Sequence, residues 1–288
     1  MRNPFPSTLI SPTELANAMQ SPQQTNIIPI AAGKESLRSA FETQHIPGSI
    51  FFNMDIIADT SSAYPQMLPT ASHFAKCMGE MGVEADDVLV FYDAVEVGMY
   101  SAPRAAWTCR FFGHENVHVL NNFPVYVGLG YPVQGGEIVP RIAREYPVCG
   151  PDLKRVIGFE ELREMILSRG GGYRVIDARV PGRFAGTQGE VDPGLRAGHM
   201  PFAVNVPLAE VLSGEKVFLS AGELRGVFER VGVWGEEPVV LTCNSGVTAA
   251  ALDLALGEVF GDGVERRVYD GSWMEWTRRA EDGLVVVD

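Results

Sequence analysis

The second half of this chain repeats the first, and that constrains its fold more than any other feature. Residues 70–83 carry apolar side chains at Phe74, Cys77, Met78 and Met81. Residues 220–233 carry them at Leu224, Val227, Phe228 and Val231, 150 positions further on. Both sets follow the i, i+3, i+4, i+7 rule of an amphipathic helix. Each predicted helix follows a hydroxyl residue (Thr70, Ser220) and ends at Gly82-Val83 or Gly232-Val233. Ser220 with Glu223 also has the spacing of a capping box. Beyond the helices, acidic turns lead into the apolar runs DDVLVFY, before Asp93, and EEPVVLT, before Cys243. Short apolar runs after a turn read as buried parallel strands. Gly113 and Gly261 keep an offset of 148, and His45-Ile-Pro and His199-Met-Pro one of 154. Four landmarks in one order imply two similar domains of about 150 residues each. Strands alternating with helices of 10–12 residues make each an α/β unit with a central, mostly parallel sheet flanked by helices.

Composition agrees with that division. At 288 residues the chain fits two domains. We expect them at residues 1–145 and 152–288, joined by the Gly- and Pro-rich stretch 135–151. Hydrophobic residues at 46% and charged residues at 20% exclude a disordered chain. The net charge of −13 repels phosphate backbones, so nucleic acid is not an expected partner. The N-terminal stretch lacks the apolar core of a signal peptide, and one Arg makes a poor transit peptide. No run approaches 18 apolar residues, so no membrane span is expected. These signs favour the cytoplasm, with the mitochondrion as the second choice. The four cysteines form no C-x-x-C pair and the five His show no ligand spacing. No metal and no organic cofactor are expected. Gly170-Gly171-Gly172 reads as a loop before a strand at Tyr173–Ile176, since no Lys-Ser/Thr follows to make a phosphate cradle.

The chemistry concentrates at Cys243-Asn244-Ser245-Gly246-Val247-Thr248. A predicted strand, 239–242, runs straight into this segment, and an Ala-rich helix from Ala249 to about Leu256 follows, with Gly257 as its C-cap. Parallel sheets bind ligands at the carboxyl ends of their strands, where loops enter helix N-termini. Backbone N–H groups and the positive end of the helix dipole there favour negative charge, including a thiolate. Ser245 and Thr248 add hydroxyl donors, and Gly246 permits a tight turn. A strand-end cysteine is as often a small buried core residue. The polar, Gly-containing loop leading into a helix favours the nucleophile here. Cys77 and Cys109 fall in apolar segments and Cys149 near the linker, so all three read as structural. Asp93 takes the matching place in the first half, which makes that half catalytically silent.

These motifs resemble the tandem-domain rhodanese sulfurtransferases, nearest to the 3-mercaptopyruvate branch. The matching segments span most of the chain: HIPG from His45, YPQMLP from Tyr64, MYSAPR from Met99, DARVPGRFAG from Asp177, GLRAGHMP from Gly194, CNSGVTA from Cys243 and YDGSWMEW from Tyr269. VLNNF from Val119 and LISP from Leu9 resemble fungal-type members. The resemblance implies that Cys243 takes a sulfane sulfur from 3-mercaptopyruvate or thiosulfate as a persulfide. It then passes that sulfur to cyanide, to a thiol such as that of thioredoxin, or to another protein. It also implies that Arg183 holds the donor's carboxylate. Asn244, Gly246, Val247 and Thr248 then form the substrate loop. Asp55 and Ser245 match two members of a Ser-His-Asp set that assists the thiol. The thiosulfate branch carries cations at the second and third loop positions. Asn244 and Ser245 stand there instead, which favours an organic thiol donor.

Three positions depart from the family pattern. Gln66 occupies the place of the His in that set and cannot act as a general base. Asp192 takes the place of a second carboxylate-binding Arg, with Arg196, four residues on, as the candidate replacement. Asn244 replaces a Gly. These departures predict reduced 3-mercaptopyruvate activity or a different donor. Two other readings remain open: a protein-sulfur relay in tRNA or cofactor thiolation, and a rhodanese-fold sensor with weak activity. A phosphatase loop would need Arg six residues after the Cys, and Ala249 stands there.

Overall fold

The computed structural model describes residues 3–21, 26–94, 97–136, 138–168 and 172–288. They form two compact units. Unit 1 is Met1–Asp152 with Glu215–Val217, and unit 2 is Leu153–Gly214 with Phe218–Asp288. Nothing in the composition of residues 215–217 announces that they group with the first half.

Unit 1 runs β1 (Leu9–Ile10), α1 (Pro12–Gln20), β2 (Ile27–Gly33), α2 (Arg38–Thr43), β3 (Ile50–Asn53), α3 (Met54–Ile57), α4 (Ala71–Glu80), β4 (Val88–Asp93), α5 (Ser101–Phe111), β5 (Val117–Leu120) and α6 (Phe123–Gly128). Unit 2 runs β6 (Val156–Ile157), α7 (Phe159–Leu167), β7 (Arg174–Asp177), α8 (Pro181–Phe184), β8 (Val204–Asn205), α9 (Ala221–Arg230), β9 (Val239–Thr242), α10 (Val247–Phe260), β10 (Arg266–Tyr269) and α11 (Ser272–Arg279). The sheet orders are β1-β5-β4-β2-β3 and β6-β10-β9-β7-β8. Position for position they are the same order, so the duplication seen in the sequence is a duplication of topology. All strand pairs within the two sheets are parallel. Crossover connections therefore bury both faces of the central strands. Every residue of β4 and β9 is buried accordingly.

The paired helices form as their sequences dictate. Thr70 Oγ1 accepts the His73 N–H at the start of α4. Ser220 and Glu223 close a reciprocal capping box on α9. Gly82 and Gly232 take φ of +71° and +76°, the left-handed conformation that ends each helix. The two His-x-Pro landmarks are structural equivalents. His45 makes an isolated antiparallel bridge to Gln134, and His199 makes one to Val286.

Two expectations need adjusting. Helix α10 begins at Val247 and reaches Phe260, with Gly261 as its C-cap. Gly257 is thus inside the helix: tertiary packing of an apolar helix overrides a weak local stop. Strand β7 lies one residue later than expected, at Arg174–Asp177. Of the glycine triplet, Gly170 and Gly171 lie outside the described residues, and Gly172 has φ of +91°. The connecting stretch forms no regular element among its described residues, yet part of it packs onto unit 1. Tyr146 is buried with its hydroxyl 2.7 Å from His114 Nδ1, and the Arg144 N–H donates to the Gly79 carbonyl.

Candidate active site

Cys243 directly follows β9 and lies four residues before α10. The Ala178 N–H donates to the Thr242 carbonyl at 2.9 Å, fixing the end of the strand against the chain leaving β7. The next two carbonyls belong to α11: Trp273 N–H donates to Cys243 O at 2.9 Å and Met274 N–H to Asn244 O at 3.0 Å. In a trans peptide the C=O and the following N–H point in opposite directions. The amides of Asn244 and Ser245 therefore point away from α11. The Cys243 N–H donates to Ser272 Oγ at 3.2 Å, and that hydroxyl donates to Tyr269 O at 2.8 Å. The sequence YDGSW serves as the staple of the cysteine loop.

Gly246 is the N-cap of α10, with φ of +77° and no side-chain cap hydrogen bond. The first N–H groups of a helix have no partner inside it. A glycine cap offers them no side-chain acceptor, so among the described residues no side-chain cap offsets the positive end of this helix's dipole. Cys243 is buried, and Asn244, Ser245 and Thr248 are half-buried. The structure thus brings Cys243, Asn244, Ser245, Gly246, Val247 and Thr248 into one turn at the carboxyl edge of the sheet. The other thiols lack such a setting. Burial pushes Cys77 and Cys109 up and holds them protonated.

Arg183 lies on α8, which leaves β7 at the same carboxyl edge. Behind it is a buried ionic cluster that sequence reasoning missed. Arg179 donates to both oxygens of Asp177, to Glu190 Oε1 at 2.8 Å and to Gly198 O at 2.7 Å. Its guanidinium lies 4.0 Å from the Trp273 ring centroid. Glu190 has a fully buried side chain, and its Oε2 is 3.9 Å from Arg183 Nε. Gly198, with φ of +122°, admits no side chain: a Cβ there would meet Val286 O at 2.2 Å.

Arg196 and Asp192, the two residues at the departure from the second arginine, both find partners within unit 2. Arg196 was the candidate replacement cation, but its guanidinium donates to Thr277 O and Ala280 O and pairs with Asp282. It caps the carboxyl end of α11, where orphan carbonyls attract a cation, and offers no free fork to a substrate. Asp192 carries no uncompensated charge, because its Oδ2 accepts from Arg278 Nη2 at 2.8 Å.

Asp55 belongs to unit 1 and Ser245 to unit 2. Asp55 Oδ1 accepts from Gln66 Nε2 at 3.0 Å and Oδ2 accepts from the Glu35 N–H at 2.9 Å. Gln66 thus holds Asp55 through its amide nitrogen. It sits at φ of +63°, with its carbonyl held by Arg104 at 2.7 Å.

The fold is a duplicated α/β architecture, and in its second unit Cys243 precedes a helix that begins at a glycine cap. The rhodanese-like domain model matches residues 11–123 and 159–279. The chain is 36% identical to the 3-mercaptopyruvate sulfurtransferase of Rattus norvegicus, over 96% of this chain and 94% of that protein. It is 39% identical to the thiosulfate sulfurtransferase of Gallus gallus, over 84% and 82%. The crystal structure of the Tum1 protein from Saccharomyces cerevisiae superposes with a TM-score of 0.90 at 30% identity, covering 98% of each chain. The chain belongs to the rhodanese-like family, as a sulfurtransferase with two tandem domains. No helix among the described residues is long and apolar enough to cross a membrane.

Proposed function

We propose that this enzyme moves the sulfur of 3-mercaptopyruvate to a thiol acceptor through a persulfide on Cys243. The observation that carries the reading is the placement of Cys243 before the uncapped N-terminus of α10. Open amides and the helix dipole favour negative charge on the sulfur and on what it carries.

The step balances without an external oxidant. The Cys243 thiolate attacks the donor's sulfur, and the S–S bond forms as the C–S bond breaks. The electron pair leaves on carbon as the enolate of pyruvate, which takes up the thiol proton. The products are a Cys243 persulfide anion and pyruvate. An acceptor thiolate then attacks the outer sulfur and regenerates the Cys243 thiolate. Arg183 suits the donor's carboxylate, since a guanidinium fork matches that planar group. The loop amides and the hydroxyls of Ser245 and Thr248 suit the charge that builds on the outer sulfur. Asp55 has both oxygens engaged and Gln66 cannot carry a proton, so no Ser-His-Asp relay enters this route.

Thiosulfate is the second donor to consider, because relatives of both names match the chain. Asn244 and Ser245 favour the organic donor, since neither adds a cation for a dianion. A small thiol and a thioredoxin-type or thiolation-pathway protein are acceptors of the same chemistry. Steady-state assays with the two donors test the reading. We expect the larger kcat/KM with 3-mercaptopyruvate; a clear preference for thiosulfate would overturn the donor assignment.

A further inference from the structure

We propose that Glu190 is a positioning residue that sets the orientation of Arg183 toward a carboxylate-bearing donor. This rests on the proposed function and names the group behind its substrate-binding arginine. The Glu190 side chain is fully buried, between two arginines. Its Oε1 accepts from Arg179 Nη1 at 2.8 Å. Among the described residues its Oε2 has no hydrogen-bond partner, and neither does the buried Nε of Arg183, 3.9 Å away. A buried carboxylate oxygen without a partner is costly, and the cost falls when a cation faces it.

Charge counting shows why that cation must be Arg183. Arg179 has all its nitrogens committed: Nε to Asp177, Nη1 to Glu190, and Nη2 to Asp177 and Gly198 O. One guanidinium thus faces two buried carboxylates, Asp177 and Glu190. Arg183 supplies the fourth charge and brings the cluster to neutrality. The nitrogen it turns toward Oε2 is Nε, 3.9 Å away. The opposite edge, Nη1 and Nη2, then points outward as a two-pronged donor. That edge is the fork that binds a planar carboxylate with two parallel hydrogen bonds. Arg179 is itself fixed by Asp177 and by the Trp273 ring, and Trp273 N–H holds the Cys243 carbonyl. The orientation of Arg183 is therefore referred to the same scaffold as the nucleophile.

The test is a set of full-length variants: Glu190→Gln, Glu190→Asp, Arg183→Gln and the Arg183→Gln/Glu190→Gln double variant. Each is assayed with 3-mercaptopyruvate and with 1-mercapto-2-propanone, which lacks the carboxylate, and folding is checked by circular dichroism. For Glu190→Gln we expect KM for 3-mercaptopyruvate to rise about tenfold, with kcat within about twofold and the ketone's KM unmoved. The double variant should be no worse than Arg183→Gln alone. If Glu190→Gln does not fold, Glu190→Asp keeps the charge on Arg179 while withdrawing the outer oxygen, and should give the same KM-selective loss. An unchanged KM in the folded variant, an equal loss with the ketone, or additive effects in the double variant would overturn the assignment alone. A wild-type protein that forms no Cys243 persulfide from either donor would overturn the sulfur-transfer reading, and this assignment with it.

Discussion

Asp93 and Cys243 end equivalent strands, β4 and β9, and each stands ahead of a helix, yet the two helix termini are finished in opposite ways. In unit 1 the carboxylate of Asp93 accepts the N–H groups of Tyr100, Ser101 and Ala102 at 2.9, 2.6 and 3.1 Å. The anion site at the head of α5 is filled by the chain's own side chain. In unit 2 the strand ends in a thiol, the cap is glycine, and the head of α10 is open. One topology thus has its helix terminus closed by an internal side chain in one copy and finished by a glycine cap in the other, where the proposed function places the reactive thiol. The difference lies in what precedes the helix terminus, an internal carboxylate that closes it or a thiol beside a glycine cap.

The strongest way to break the comparison is to remove the thiol. Cys243→Ser should lower sulfur transfer by at least about 10⁴-fold, because a hydroxyl cannot form the persulfide. Residual activity within tenfold of wild type, read by pyruvate release, would place the nucleophile elsewhere.

The internal carboxylate makes its own prediction. Burial pushes Asp93 up to about 7 against its three N–H donors. The native state therefore holds this proton more tightly than the unfolded chain, whose carboxyl titrates near its ordinary 3.8. That contribution is fully present below about pH 4 and is lost as pH rises toward 7. His118, pushed down to about 4 by burial, works in the opposite direction. The comparison of wild type with Asp93→Asn isolates the carboxyl. The stability of wild type relative to the variant should fall from pH 4 to pH 8 by up to about 4 kcal/mol, measured by urea unfolding. A pH-independent gap would contradict it.

A smaller effect is expected at the open terminus. Gly246→Ala forces a side chain into the left-handed conformation and should cost about 1–2 kcal/mol in the stability of unit 2. It should also lower activity through the loop while leaving the unfolding of unit 1 unchanged. The smallest effects belong to the remaining thiols: Cys77→Ser, Cys109→Ser and Cys149→Ser should each keep kcat/KM within about twofold of wild type.

The duplication, the sheet and the cysteine loop were legible because they are written in local patterns: helical periodicity, caps, and a strand running into a Gly-containing turn. The partners of charged side chains were not. Arg196 reads as a spare cation until its contacts with Thr277 and Ala280 are known. Nothing local marked Arg179 and Glu190 as a buried pair, because burial of an ion pair depends on distant residues such as Trp273. The Asp177-Ala-Arg179 sequence at a strand end was the one local sign of that cluster. The filling of the α5 terminus by Asp93 was equally hidden, since its donors lie seven to nine residues along the chain. The end of α10 was misplaced because packing carried the helix through Gly257.

The central claim is that the open terminus in unit 2 selects one of four thiols to carry sulfur. Peptide-resolved mass spectrometry of the wild-type protein after a single turnover with 3-mercaptopyruvate, without acceptor, tests it directly. We expect an added mass of about 32 Da, one sulfur, on the peptide containing Cys243 and on no other cysteine peptide. Sulfur on Cys77, Cys109 or Cys149, or spread over several cysteines, would contradict it.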